Sequence, residues 1–112
     1  MEIDVRTLDQ IKLIKLQGKL TFGPPLDRAD ETFRDLLSSG TTKFILDLEE
    51  VPMIDSSAIG MLVRHLHSAK QKGGSVKLLK PSKFAAQTLK LVRVNSLFEV
   101  FEDQDIAANS FE

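Results

Sequence analysis

Three polar side chains, Asp55, Ser56 and Ser57, stand between two apolar patterns. Phe44-Ile45-Leu46-Asp47-Leu48 reads as a strand before them, and an amphipathic helix pattern runs on from Ala58-Ile59. The turn therefore puts an acid and two hydroxyls at the mouth of a helix. Such an end carries unpaired backbone N–H groups and roughly half a unit of positive charge, so it suits a phosphate. Its plainer use is capping, where Asp or Ser contributes about 1 kcal/mol relative to Ala. Two details point past a simple cap. One residue caps a helix, yet three polar residues crowd this turn. Gly60, in the first helical turn, costs about 1 kcal/mol against Ala unless another surface must come close there.

Other chemistries find no support in the spacing. A serine nucleophile needs a base within about 3 Å. His65 and His67, the two histidines, lie nine to eleven residues down the same helix, roughly 13–16 Å from its start. No Gly-x-Ser-x-Gly elbow is present. Two residues apart on a helix, the histidines point to different sides and do not converge on a metal; they read as solvent-facing. Gly73-Gly74 lacks the Lys-Ser/Thr of a phosphate-binding loop and reads as a helix stop. Glu49-Glu50 reads as solvated surface. No catalytic residue, metal site or cofactor is expected, and the chain does not read as an enzyme.

Composition narrows the partners. At 112 residues, 42% hydrophobic and 28% charged, the chain is expected to be one domain over residues 1–112. Fifteen basic and sixteen acidic residues give a net charge of −1 and read as well mixed. No basic stripe suggests nucleic acid, and no polybasic cluster suggests an anionic membrane. No cysteine is present, which excludes disulfides and thiolate metal sites. Met1-Glu2-Ile3-Asp4-Val5 lacks the start of a secretory signal, and no apolar run approaches the ~20 residues of a membrane span. A cytoplasmic protein without membrane insertion is the expectation.

The elements that must position the turn follow from periodicity. Ile3, Val5 and Thr7 alternate, and Ile11, Leu13 and, after Ile14, Leu16 and Leu20 resume the alternation, with a hairpin at Asp9-Gln10. Gly18 marks a strand end or bulge. Phe22-Gly23-Pro24-Pro25 reads as a loop. Leu26, Ala29, Phe33, Leu36 and Leu37 form a helical stripe that closes at Ser38-Ser39-Gly40. Lys43 to Leu48 is a buried strand. Ile59, Leu62, Val63, Leu66 and Ala69 are the inner stripe of the next helix. Val76 to Leu79 is a strand stopped by Pro81, and Ser82 caps a helix to about Val94 with Phe84, Ala85, Leu89 and Val92 inward. Phe98 to Phe101 is a brief strand, and a short helix covers about Asp103 to Ala108. This alternation predicts a mixed sheet with helices packed on it.

Asp55-Ser56-Ser57-Ala58-Ile59-Gly60 after Asp47-Leu48-Glu49-Glu50-Val51 resembles the signature of STAS domains, named for sulfate transporters and anti-sigma factor antagonists. Gly18-Lys19-Leu20 resembles the family's turn after its second strand, Lys72-Gly73-Gly74 precedes the strand Ser75 to Leu79 as in the family, and Val94-Asn95-Ser96-Leu97-Phe98 resembles its late segment before the last strand, all in the right order. Ala58 stands where many members have glycine, and the Phe22 to Pro25 loop is stiffer than the usual polar connection. The resemblance implies an α/β fold, a mixed β-sheet of about four to five strands with about four helices packed on it. It also implies an anti-sigma factor antagonist. Unphosphorylated, such a protein binds an anti-sigma factor with GHKL-type serine kinase activity. Phosphorylated on the serine matching Ser56, it lets go, and a PP2C-type phosphatase resets it. Asp55 and Ser57 match the neighbours of that serine. A non-phosphorylated STAS adaptor in a lipid-transport or stress-signalling complex is the alternative.

Charge gives the resemblance a physical basis. A phosphate brings about −1.5 to −2 charges, which a helix N-terminus tolerates. A partner packed on Ser56 would have to desolvate that phosphate beside Asp55. The expected partner-facing residues are Met53, Ser56, Ala58, Gly60, Met61, Arg64 and His65, with Met61, His65 and Ser68 sharing a helical face at i, i+4 and i+7.

Overall fold

The structure is a computed structural model describing residues 1–111. Strands β1 (Glu2–Leu8) and β2 (Ile11–Gln17) pair antiparallel, Leu8 opposite Ile11, around a two-residue turn with Asp9 at φ 57. Asp is one of the few residues that enters this left-handed region readily. Helix α1 (Pro24–Ser38), strand β3 (Lys43–Glu50), helix α2 (Ser56–Gln71) and strand β4 (Ser75–Leu79) follow. Helix α3 (Lys83–Leu91), strand β5 (Val100–Phe101) and helix α4 (Gln104–Asn109) complete the order.

The sheet runs β1-β2-β3-β4-β5, antiparallel only between β1 and β2. Each parallel step joins adjacent strands through one helix. Right-handed crossovers therefore send α1, α2 and α3 to the same face. Their buried residues Phe33, Leu62 and Leu89 share one core with Ile14, Leu16, Phe44, Leu46 and Leu78. A second, smaller core of Ile11, Leu13, Ile45 and Leu79 lies on the opposite face with Ala107 of α4. The mixed five-stranded sheet with four helices matches the architecture expected from the sequence.

Several local expectations are corrected. β2 is buried on both sides, Ile14 and Leu16 in the main core and Ile11 and Leu13 in the smaller one, and it ends at Gln17, short of Leu20. Pro24 and Pro25 are not loop but the first turn of α1, with Gly23 before them at φ 113. Proline there forgoes only N–H groups that would have no helical partner. Helix α3 stops at Leu91, and Phe84 and Val92, expected inward, are 66% and 46% exposed. Only Ala85 and Leu89 of this helix are buried, and both join the main core. No helix among the described residues is long and apolar enough to cross a membrane.

Candidate functional site

The residues between β3 and α2 are held by backbone pairing before any side chain acts. Leu20 and Ile54 form an isolated parallel bridge, with Leu20 N–H donating to the Met53 carbonyl at 2.9 Å. Asp55 then caps α2 in extended conformation. Its Oδ1 accepts from the Ala58 N–H at 2.9 Å, and its Oδ2 accepts from the Phe22 N–H at 2.8 Å. One carboxylate thus ties the helix start to the segment leaving β2. The Phe22 N–H, assisted by those of Ala58 and Ser57 against a burial penalty, holds the Asp55 carboxyl below the usual range.

Because Asp55 is the cap, neither serine has to be. Ser56 is the first helical residue and is exposed, whereas Ser57 is half-buried. Position and exposure therefore distinguish two hydroxyls that composition alone does not. Met53 is 50% exposed beside them, and Phe22, bound through its N–H to Asp55, is 80% exposed.

The expected partner face on α2 must be rotated. Met61 is fully buried, His65 is 6% exposed and Ala58 is fully buried, so none of the three lies at the surface. The cause is double coverage. α2 packs on the sheet and on α1, so its buried residues Ala58, Ile59, Met61, Leu62, His65, Leu66 and Ala69 span roughly 160° of the helix at 100° per residue. A helix packed on a single surface needs an apolar stripe of only about 100°. What remains exposed is a line through Ser56 and His67, flanked by Gly60 and Arg64. A Cβ added to Gly60 would meet only the Arg64 Nη1 at 3.7 Å, so nothing within the fold demands glycine. This position is open to a second surface.

His65 has a structural task. Its ring stacks on Phe33 at 4.8 Å between centroids, and its Nε2 lies 2.7 Å from Asp30 Oδ1 on α1. Burial pushes its pKa down, against the opposing pull of Asp30. His67 is exposed. Among the described residues no group of three or more His, Asp or Glu is arranged to hold a metal. Phe22 was missed by periodicity because it belongs to no helical or strand repeat. An aromatic stranded in a Gly-Pro turn was the available signal.

The fold and the site define a small α/β domain with an exposed serine at a capped helix start. The chain belongs to the STAS domain family, whose model matches residues 2–107. A candidate anti-sigma factor antagonist of Thermotoga maritima is 29% identical over 70 residues, which cover 62% of each chain. The match thus spans less than two thirds of that curated relative's length. The crystal structure of a candidate anti-sigma factor antagonist from the same organism superposes with a TM-score of 0.90 at 21% identity, covering 97% of this chain and 93% of that one. The phosphorylated form of the Bacillus cell fate determinant SpoIIAA gives 0.77 at 16% identity, covering 99% of this chain and all of the other. At these identities the structures establish a shared fold.

Proposed function

We propose that this chain is an anti-sigma factor antagonist whose partner binding is switched by phosphorylation of Ser56. The unphosphorylated form binds an anti-sigma factor with GHKL-type serine kinase activity, and a PP2C-type phosphatase restores it. The observation that carries this reading is the exposed Ser56 hydroxyl at the first position of α2, beside a carboxylate already committed to capping. The names of the relatives support it.

The switch works through charge. A phosphate on Ser56 sits at a helix N-terminus, where its charge is favourable to the fold. Asp55 contributes repulsion, but its carboxylate is stabilised by two N–H donors and keeps its place. The penalty falls on a partner that covers Ser56, because burying an unpaired charge costs several kcal/mol. Each 1.4 kcal/mol is tenfold in affinity, so release by orders of magnitude follows without refolding. The partner surface comprises Ser56, Gly60 and Arg64 on α2, with Met53 and Phe22 as apolar anchors.

Incubation with the candidate kinase and ATP, read by mass spectrometry, is expected to modify Ser56. Ser56→Ala is expected to bind the kinase constitutively and Ser56→Asp weakly. Modification at a different residue, or equal binding by both variants, would overturn the reading.

A further inference from the structure

The charges that look well mixed in composition are segregated along the chain. Between Asp55 and Glu99 there is no acidic residue, while eight lysines and arginines occur there. Lys77 is buried and engaged with Glu99 and Ser110. Four others cluster in sequence at α3: Lys80 just before it, Lys83 and Lys90 on it, and Arg93 just after it. Among the described residues none of these four takes part in an ion pair.

Large apolar side chains are exposed on α3 and in the turn that follows it. Phe84 is 66% exposed and Leu91, seven residues on, is 81% exposed; Val92 and Leu97 are 46% and 48% exposed. Seven residues separate Phe84 from Leu91 and also Lys83 from Lys90, so each pair lies within about 20° on the helix. An apolar ridge and a lysine ridge therefore run side by side along the outer face of α3.

Two of the four cations occupy backbone positions that glycine would fill with less strain. Helices α1, α2 and α3 all end in the same double-bonded turn. In each, the sixth residue donates back to the first, as in Thr41 to Leu36, Gly74 to Ala69 and Val94 to Leu89. The left-handed residue of that turn is Gly40 in α1 and Gly73 in α2, but Arg93, at φ 61, in α3. Lys80 is left-handed as well, at φ 49. Each cation stands where an L side chain is disfavoured.

We propose that α3 and its flanking turns form a docking surface for an anionic lipid membrane. Lipid headgroups attract the four unpaired cations, and the Phe84–Leu91 ridge enters the headgroup boundary while the lysine stems lie alongside. Three of the four cations are lysines, the type that protein interfaces deplete, and this favours lipid headgroups as the occupant even though Arg93 and Phe84 are types such interfaces accept. The surface is peripheral and independent of the Ser56 reading.

The test is co-sedimentation of the full chain with phosphatidylcholine vesicles, with and without phosphatidylglycerol, at low and high salt. Binding only to the anionic vesicles, weakened by salt, is expected. Lys83→Gln and Lys90→Gln each weaken partition about fivefold. The exposed pair Phe84→Ser and Leu91→Ser weakens it with charge and melting temperature unchanged. Arg93→Gly is decisive, because it raises the melting temperature while lowering partition about fivefold, a combination that damaged folding cannot produce. Sedimentation with neither vesicle overturns the proposal. So does binding that survives loss of Phe84 and Leu91.

Discussion

Asp55 is the residue on which the geometry of the switch turn depends, and its replacement separates two bonds made by one carboxylate. Asp55→Ala removes the cap on Ala58 N–H and the tie to Phe22 N–H. The cap is worth about 1 kcal/mol. The second bond adds about 1 kcal/mol, since exposed Phe22 N–H regains water on loss of its partner. The expected loss is about 2 kcal/mol, or about 8 °C in melting temperature for a chain of this size. Asp55→Asn keeps an oxygen for Ala58 but turns an amide donor toward Phe22, so about half the loss remains. The pH dependence adds a second readout. The folded carboxyl is held below its ordinary pKa, so its contribution is fully present above about pH 4 and disappears as pH falls through the folded value. In urea titrations the gap between wild type and Asp55→Asn is constant at neutral pH and closes in acid. Equal stability of the two proteins, or a gap that persists in acid, would refute the assignment of both bonds.

His65 tests a balance of burial against attraction. Its pKa is lowered by burial, so the folded state holds the neutral ring and stability falls as pH drops below about 6.5, the ordinary histidine value. An NMR titration midpoint above that value would mean that Asp30 outweighs burial. Met61→Ala is expected to cost about 3 kcal/mol by urea unfolding, as for a fully buried methionine; a near-neutral effect would return Met61 to the surface. Gly60→Ala has room for its Cβ and is expected to stabilise by about 0.5–1 kcal/mol, while a bulkier Gly60→Leu impairs partner binding. If Gly60→Leu binds the partner as wild type does, the open strip on α2 is not the contact surface.

The alternation of strands and helices was legible because each element carries its own period, and the caps at Asp55, Ser82 and Asp103 are local chemistry that a sequence displays. What failed was the assignment of faces. Periodicity shows that a helix has an apolar stripe but not how many surfaces it packs against. Hence Met61 and His65, just outside the stripe expected for one surface, are buried by a second. His65 is polar enough to read as exposed, but Asp30 pairs with it and Phe33 covers its ring. The error on α3 has the opposite sign: Phe84 and Val92 obey the helical period, but the helix ends at Leu91 and only Ala85 and Leu89 reach the core. Neither outcome is contained in the helix's own periodicity.

The same limit explains why the turn itself was readable while its surroundings were not. Asp55, Ser56 and Ser57 are contiguous, and helix geometry alone assigns the cap to the residue before the first turn. Once Asp55 is bound at both oxygens, Ser56 has no capping duty and points outward from a helix whose other sides are occupied. Rigidity is the consequence that matters for switching. A turn already held by a bridge, a cap and a cross-loop bond has little conformational freedom left for a phosphate to alter. The phosphate's free energy is then expressed where the surface meets a partner, and removing the Phe22 bond while keeping Ser56 should blunt the switch by letting the turn absorb part of that energy.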